Sequence, residues 1–314
     1  MPAPRRRSVL VEEARRARRL ARRLGPLEPE PPLPPPLPPG RVVDVPGRGE
    51  LFVREQAGVP GRPTVVLLHG WTVTADLNWF ALYDDVARMG HLLAVDHRGH
   101  GRGIRSDERF TLEAAADDVA TLLRHLGLGP VVAVGFSMGG PIAMHLWRRH
   151  PGLVCGLVLQ ATALEWRASL PERWMWRFMG LLELSLRIGN PNGLVERILR
   201  DAIEECPDIR PLRGWLKGEL RRGDPRALAD AGRALGNHDA RPFAGAVDVP
   251  TAVVVTTRDR LVRPRKQRAL AAAVPGARTF DIRADHDAPL MRRDEFRAVT
   301  EAALAHVLQQ ARRP

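Results

Sequence analysis

The chain has 314 residues, of which 44% are hydrophobic and 27% charged, a globular composition with enough apolar material for a sizeable core. Its two cysteines cannot form a disulfide framework, and no Cys/His cluster has zinc spacing, so we expect neither a metal nor another cofactor. The longest stretch without Asp, Glu, Lys or Arg, His125 to Trp147, is broken by Gly, Pro and Ser, which argues against a transmembrane helix. With no signal-peptide pattern either, we expect a cytoplasmic protein.

The positive charge is concentrated at the amino terminus. Nine arginines and two glutamates in residues 1–24 contribute +7 of the net charge of +12, so the body carries only +5 and we expect no nucleic-acid partner. Residues 8–24 have the pattern of a basic amphipathic helix, and the nine prolines in residues 26–39 predict an extended spacer, which together make residues 1–40 an arm. The helix has two interpretations: peripheral contact with an anionic membrane surface, or a solvated or partly disordered segment.

From Arg41 onward, β-branched runs alternate with helical patterns. The predicted strands are 41–45, 51–56, 64–68, 91–95, 131–135, 156–160, 251–256 and 277–282. The helical patterns at 112–126 and 140–150 lie between buried strands. This alternation predicts an α/β fold with a doubly wound, mostly parallel sheet.

The alternation stops between residues 163 and 237. That stretch has a helical pattern and holds four of the seven tryptophans, so we interpret it as a helical lid over the carboxyl edge of the sheet. The lid divides the core into a first part, 41–162, and a second part, 238–314. Trp166 and Trp174 are candidates for contact with a substrate, and the alternative is that the lid's Trp and Met residues are core.

A G-x-S-x-G motif, GFSMG, occupies residues 135–139. A buried strand ends at its first glycine and a helical pattern follows its last. Small residues at both ends allow a tight strand-to-helix turn that lifts Ser137 out of the sheet, with the amides of the helix N-terminus beside it. Ser137 is therefore the candidate nucleophile, and Phe136 next to it is a further candidate for substrate contact.

A serine nucleophile needs a base within hydrogen-bond reach and an acid that orients the base. Asp259 and His286 each follow a predicted strand, in the chain order Ser, acid, His that this kind of motif requires. Asp285 and Asp287 flank the histidine, but neighbours in sequence rarely reach the far ring nitrogen. Glu165 follows the preceding strand and is a less favoured acid.

The segment His69-Gly70-Trp71 ends the strand TVVLL at 64–68. A sharp turn at Gly70 would let the backbone N–H of Trp71 face that of Met138, and the two would form an oxyanion hole. We expect His69 to be structural, because it precedes the turn and can hold the loop by hydrogen bonding.

These motifs together resemble the α/β-hydrolase superfamily, in its esterase, lipase and non-haem haloperoxidase-like branch. The residues that carry the resemblance are HGW at 69–71, DHRGHGRG at 96–103, GFSMGG at 135–140, TRD at 257–259 and DHD at 285–287. It covers residues 41–312 and implies a catalytic triad of Ser137, His286 and Asp259. One departure is Gly103, where the family pattern often has serine. Dehalogenases and epoxide hydrolases of this fold have an aspartate at the position of Ser137.

The sequence thus predicts a serine hydrolase that cleaves a small-molecule carboxylic ester with an apolar acyl or alcohol part. Two alternatives remain open: the same triad used for C–C bond hydrolysis or peracid formation, and an inactive hydrolase fold that acts as a binding module. The oligomeric state does not follow from the sequence.

Overall fold

The computed structural model describes residues 33–166 and 199–311. Within these residues, eight strands form a single sheet in the order β1-β2-β4-β3-β5-β6-β7-β8. The strands are β1 Gly40–Val45, β2 Gly49–Gln56, β3 Thr64–Leu68, β4 His91–Val95, β5 Val131–Phe136, β6 Val154–Gln160, β7 Thr251–Thr256 and β8 Arg278–Ile282.

The first two strands form an antiparallel hairpin, and β2 pairs antiparallel with β4. From β4 to β8 every neighbouring pair is parallel. The central strands β3, β5 and β7 are buried along their whole length, as expected for parallel strands covered on both faces. The predicted doubly wound, mostly parallel sheet is confirmed.

Helices cover both faces of the sheet. The described helices are α1 Ala75–Trp79, α2 Tyr83–Met89, α3 Leu112–His125, α4 Gly139–Arg149, α5 Arg213–Leu220, α6 Pro225–Asn237, α7 Pro264–Ala273, α8 Ala288–Met291 and α9 Arg293–Gln310, of which α5 and α6 belong to the predicted lid. Alternate residues of β3 separate the two layers: Val66 and Leu68 belong to the core packed against α3, α4 and α7, whereas Val65 and Leu67 face the core formed with α2 and α9.

The described part of the predicted lid is mainly helical from residue 199 onward, whereas 163–166 form bends and a bridge between Glu165 and Asp239. Residues 199–205 form a helix, a 3-10 helix follows at Pro207–Leu212, and α5 and α6 complete the segment. Residues 167–198 of the predicted lid lie outside the described residues, and so does the basic helix predicted at 8–24. No helix within 33–166 or 199–311 has the length and apolarity needed to cross a membrane.

The end of the proline-rich spacer is attached to the body. Leu37 packs against two of the hydrophobic clusters, and the carbonyl oxygen of Pro38 accepts a hydrogen bond from Arg54 Nη1 at 2.8 Å. The spacer therefore joins the body about two residues before β1 begins at Gly40.

Parallel pairing brings the residues of interest together. The carboxyl ends of parallel strands lie at the same edge of a sheet, which is where ligands bind in open α/β folds. The loops after β3, β5, β7 and β8 carry Trp71, Ser137, Asp259 and His286 respectively, so all four lie at this edge.

Candidate active site

Ser137 occupies a strained turn between β5 and α4. Its φ is +52°, a left-handed conformation that a non-glycine residue rarely adopts. Two backbone hydrogen bonds hold it there: Ser137 N donates to the carbonyl of Gln160 at 2.8 Å, and Gly140 N donates to the carbonyl of Ser137 at 3.0 Å. The residue is only 5% exposed, so the turn presents the hydroxyl in a nearly closed environment.

The two outer glycines of the motif are required by close backbone contacts. A Cβ at Gly135 would lie 2.2 Å from the carbonyl oxygen of Gly139, and a Cβ at Gly139 would lie 2.0 Å from that of Leu68. Either side chain would push the start of α4 away from the sheet. The motif requires glycine at these two positions because α4 packs tightly on the ends of β3 and β5.

Ser137, His286 and Asp259 are joined by hydrogen bonds. His286 Nε2 lies 3.0 Å from Ser137 Oγ, and His286 Nδ1 lies 2.8 Å from Asp259 Oδ2. The carboxylate is an acceptor only, so Nδ1 carries the proton and donates to Asp259. Nε2 is then left to accept the hydrogen of the serine hydroxyl. The imidazole is in the tautomer that a general base for Ser137 requires.

The Asp259 carboxylate is buried, at 3% exposure, and its own loop holds it in place. Its Oδ1 accepts hydrogen bonds from the amides of Leu261 at 2.9 Å and Val262 at 2.7 Å. Its Oδ2, which accepts from His286, also accepts from the hydroxyl of Thr256 at 2.8 Å. These donors orient the carboxylate towards the imidazole.

The carboxylates near Asp259 have other partners. Asp285 Oδ1 accepts hydrogen bonds from the amides of Arg260 at 2.9 Å and His286 at 2.8 Å, so it ties the aspartate loop to the histidine loop. Asp287 is exposed at the start of α8. Glu165 forms an ion pair with Arg241 at 3.3 Å. The contact with the His286 ring is made by Asp259.

The loop after β3 lies against the serine turn. A Cβ added to Gly70 would be 3.4 Å from the Cβ of Ser137, and the Gly70 amide donates to Asn78 Oδ1 at 2.9 Å. Trp71 follows directly, and Met138 precedes the first residue of α4 on the other side. The two amides predicted to form the oxyanion hole are therefore carried by backbone segments that pack together.

His69 holds this loop through both ring nitrogens. Nδ1 lies 2.7 Å from the carbonyl oxygen of Gly70, and Nε2 accepts the amide of His97 at 2.9 Å. Its ring packs on those of His97 and His100, with centroids 4.3 and 5.4 Å away. Burial lowers the pKa of His69 to about 4 and that of His100 to about 3, so both are neutral at pH 7. The structural role expected for His69 matches these contacts.

Gly103 fits a crowded site in the loop after β4. A Cβ there would lie 2.2 Å from the carbonyl oxygen of His97 and 2.4 Å from that of Asp96. A serine at this position, common in the family pattern, would require a different loop path. The close approach of these two carbonyl oxygens therefore explains why glycine stands at position 103.

The candidates for substrate contact have different positions. Phe136 is 4% exposed, and its ring packs on His286, Trp79 and Phe296 with centroids 5.2, 6.3 and 5.8 Å away. This burial favours support of the His286 ring over the substrate contact that the sequence suggested. Trp166 is also buried and belongs to the same hydrophobic cluster as residues of α4 and α6. Trp174 lies outside the described residues.

Thr256 and Asp285 were not singled out as supports by the sequence. Thr256 ends β7 and Asp285 precedes the histidine, so proximity to the predicted triad was the only available signal. In residues 33–166 and 199–311, no group of three or more His, Cys, Asp or Glu side chains is arranged to hold a metal ion.

A family model described as the alpha/beta hydrolase fold matches residues 63–186. The pimeloyl-[acyl-carrier protein] methyl ester esterase of Chromobacterium violaceum is 31% identical over 253 residues, which cover 76% of this chain and 93% of that protein. The chain belongs to the α/β-hydrolase family. The resemblance inferred from the motifs is confirmed, and the chain is an enzyme of this family.

Two further likenesses agree with this assignment. A non-heme haloperoxidase of Rhodococcus erythropolis is 34% identical over 112 residues, 35% of this α/β-hydrolase and 39% of that protein. The crystal structure of a hydrolase from Pseudomonas aeruginosa superposes with a TM-score of 0.73 at 21% identity, covering 84% of this chain and 98% of that one. At 21% sequence identity, the structural match supports the fold and not the activity.

Proposed function

We propose that this α/β-hydrolase cleaves carboxylic esters through an acyl-enzyme formed on Ser137. The observation that carries the proposal is the hydrogen-bonded series from Asp259 through His286 to Ser137. A serine hydroxyl is a weak nucleophile at neutral pH, and this arrangement supplies the base and the orienting acid that it needs.

The first half-reaction forms the acyl-enzyme. Ser137 Oγ attacks the ester carbonyl carbon while its proton passes to His286 Nε2. Asp259 holds Nδ1–H and stabilises the imidazolium that results. The tetrahedral intermediate then expels the alkoxide oxygen, which takes the proton from Nε2 and leaves as the alcohol.

The second half-reaction releases the acid. A water molecule gives a proton to His286 Nε2 and attacks the acyl carbon. Collapse of the second intermediate returns the proton to Ser137 Oγ and frees the carboxylic acid. In both halves the amides of Trp71 and Met138 donate to the developing oxyanion, a contribution of about 3 kcal/mol for each donor in enzymes of this kind.

The substrate class is an ester with an apolar acyl or alcohol part. The name of the Chromobacterium violaceum relative makes methyl esters of acyl chains the first substrates to assay. Helix α6 of the predicted lid lies beside this edge of the sheet, since Leu228 on that helix accepts a hydrogen bond from Trp71 Nε1 at 2.7 Å.

The test is steady-state hydrolysis of methyl and p-nitrophenyl esters of increasing acyl length. We expect saturable activity that falls by at least about 10³-fold in Ser137→Ala and in His286→Ala, with each variant folded as the wild type by circular dichroism. Parallel assays with a β-diketone, and with acetate plus hydrogen peroxide, measure the other reactions open to the same triad. Ester turnover that survives Ser137→Ala would overturn the proposal.

A further inference from the structure

A fully buried amide lies behind the proposed catalytic aspartate. Gln267 is in the first turn of α7, which packs on β7, and its exposure is 0%. Its Oε1 accepts the backbone amide of Thr256 at 2.9 Å, and its Nε2 donates to the carbonyl oxygen of Val262 at 2.6 Å. Thr256 precedes Asp259 in the chain and Val262 follows it. The amide therefore bridges the two ends of the turn that carries the aspartate.

The same Nε2 also contacts the Asp259 carboxylate and the Thr256 hydroxyl. It lies 2.8 Å from Thr256 Oγ1 and 3.3 Å from Asp259 Oδ2. A hydroxyl that accepts from Gln267 directs its own hydrogen elsewhere, and Thr256 Oγ1 lies 2.8 Å from Asp259 Oδ2. Gln267 thus fixes the direction of the Thr256 hydroxyl and contacts the carboxylate oxygen that accepts the His286 proton.

We infer that Gln267 is a positioning residue for the reaction: it fixes the aspartate turn and supplies, directly and through Thr256, the donors that share Asp259 Oδ2 with His286. The inference rests on the proposed function, because it acts only through the triad. A carboxylate oxygen that loses these donors binds the remaining one, the imidazolium N–H, more strongly. His286 would then hold its proton to higher pH, and the turn would lose its alignment with the ring.

The variant Gln267→Met keeps the length of the side chain and removes every polar contact. By analogy with other supports of active-site ligands, we expect kcat for a p-nitrophenyl ester to fall by about 10- to 100-fold. KM should change by less than about twofold, because the residue does not reach the substrate. The acid limb of the pH–kcat profile should move to higher pH. Thr256→Val removes only the hydroxyl and should shift the same limb in the same direction.

The matched control is Thr300→Val. Thr300 is 1% exposed and donates its hydroxyl to Gln160 Oε1 at 3.1 Å, so the variant also loses one buried hydrogen bond. We expect it to lose stability while keeping the wild-type pH profile. An unchanged profile in both Gln267→Met and Thr256→Val, or the same shift in Thr300→Val, would overturn the inference. Because Ser137→Ala is assayed alongside, ester turnover that persists there would signal failure of the proposed function instead.

Discussion

The indole Nε1 of Trp71 donates a hydrogen bond to the carbonyl oxygen of Leu228 at 2.7 Å, which joins the loop after β3 to helix α6 of the lid. The ring also lies against Gly232 one turn further along α6, where an added Cβ would be 2.6 Å from Trp71 Cζ2. The residue proposed to donate its amide to the oxyanion is thus held by the lid through its side chain. The contact links the position of α6 to that of the loop proposed to carry one of the two oxyanion donors.

Gly232→Ala should separate the lid from the oxyanion loop. The added methyl group must displace the indole or α6, and we expect kcat/KM to fall by about tenfold or more because small misplacements of catalytic groups are costly. Gly218→Ala, in α5, is the control, since nothing lies within 4 Å of a Cβ there. As alanine favours helix, that control should be neutral or stabilising by up to about 1 kcal/mol. Equal kinetics for the two variants would show that the contact has no role.

Gly139→Ala should disrupt the serine turn itself. The new Cβ would meet the carbonyl oxygen of Leu68 at 2.0 Å, so α4 must move away from β3 or the turn must open. We expect esterase activity to be lost and the free energy of unfolding to fall by about 1–3 kcal/mol, as for other overpacked sites. Gly152→Ala, where a Cβ has open space, is the control for urea unfolding and ester assay. Wild-type activity in Gly139→Ala would contradict the close packing of the turn.

The protein should lose stability in mild acid because it buries neutral histidines. Burial lowers the pKa of several rings, those of His69 to about 4 and of His100 and His238 to about 3, with the pKa of His97 and His145 also lowered. The unfolded chain binds these protons near pH 6.5, about the ordinary histidine pKa, whereas the folded protein binds them only at lower pH. The stabilisation is therefore complete above about pH 6.5 and declines as the pH falls below it.

Urea unfolding between about pH 7.5 and about pH 5 measures this decline, in a window above the ordinary carboxylate pKa values. His238→Asn removes one titrating ring and should reduce the slope of unfolding free energy against pH by up to about 1.4 kcal/mol per unit. His125→Gln replaces an exposed histidine and should leave the slope unchanged. A stability profile that is flat down to about pH 5 would contradict the burial of neutral rings.

A carboxylate of the lid is bound by the core. Glu219 on α5 is 3% exposed, and its Oε2 accepts hydrogen bonds from Thr74 Oγ1 at 2.8 Å and Arg102 Nη2 at 3.0 Å. Arg102 also donates to Asp76 at 2.8 Å, so Glu219 completes a buried charge network. Arg222 Nε donates to the other carboxylate oxygen, Oε1, at 2.8 Å. Glu219→Gln removes the charge and turns an amide NH2 towards one of these three donors, which should cost about 1–3 kcal/mol of unfolding free energy.

Limited proteolysis should locate that loss in the lid, with faster cleavage within residues 199–237 in Glu219→Gln. The control is Glu108→Gln, because its side chain is 81% exposed and its ion pair with Arg98 is long, at 3.7 Å. We expect a change below about 0.5 kcal/mol there, because Arg98 keeps its hydrogen bonds to Asp118 at 2.6 and 2.8 Å and Glu108 is exposed. Lid cleavage at the wild-type rate in Glu219→Gln would show that the network does not anchor the lid.

The sequence predicted the parts of the site that depend on local pattern. Ser137 sits in a five-residue motif, and Asp259 and His286 follow recognisable strands whose parallel pairing places their ends together. Most strand boundaries were predicted within one or two residues, because β-branched runs end at turn residues. The prediction missed Phe136, the last residue of β5, and the first two residues of β6. In both places no change in the pattern of apolar and turn residues marks the strand boundary.

The supports were not predictable in this way. Gln267 is one polar residue on a helix, and nothing in its neighbourhood of the sequence indicates that it faces the aspartate turn. The Trp71–Leu228 and Glu219–Arg102 contacts join residues more than a hundred positions apart. Such contacts depend on how the helices pack against the sheet, so the structure was needed to identify them.

The most direct test of the nucleophile is covalent labelling with a fluorophosphonate. Attack of Ser137 Oγ on phosphorus expels fluoride and leaves a stable phosphonylated serine, which peptide mass spectrometry locates. We expect one adduct per chain, on Ser137, at a rate that His286→Ala reduces and that an ester substrate slows by competition. Two results would contradict the proposed mechanism. One is folded wild-type protein that stays unlabelled. The other is an adduct on a residue other than Ser137 that forms equally in the wild type and in Ser137→Ala.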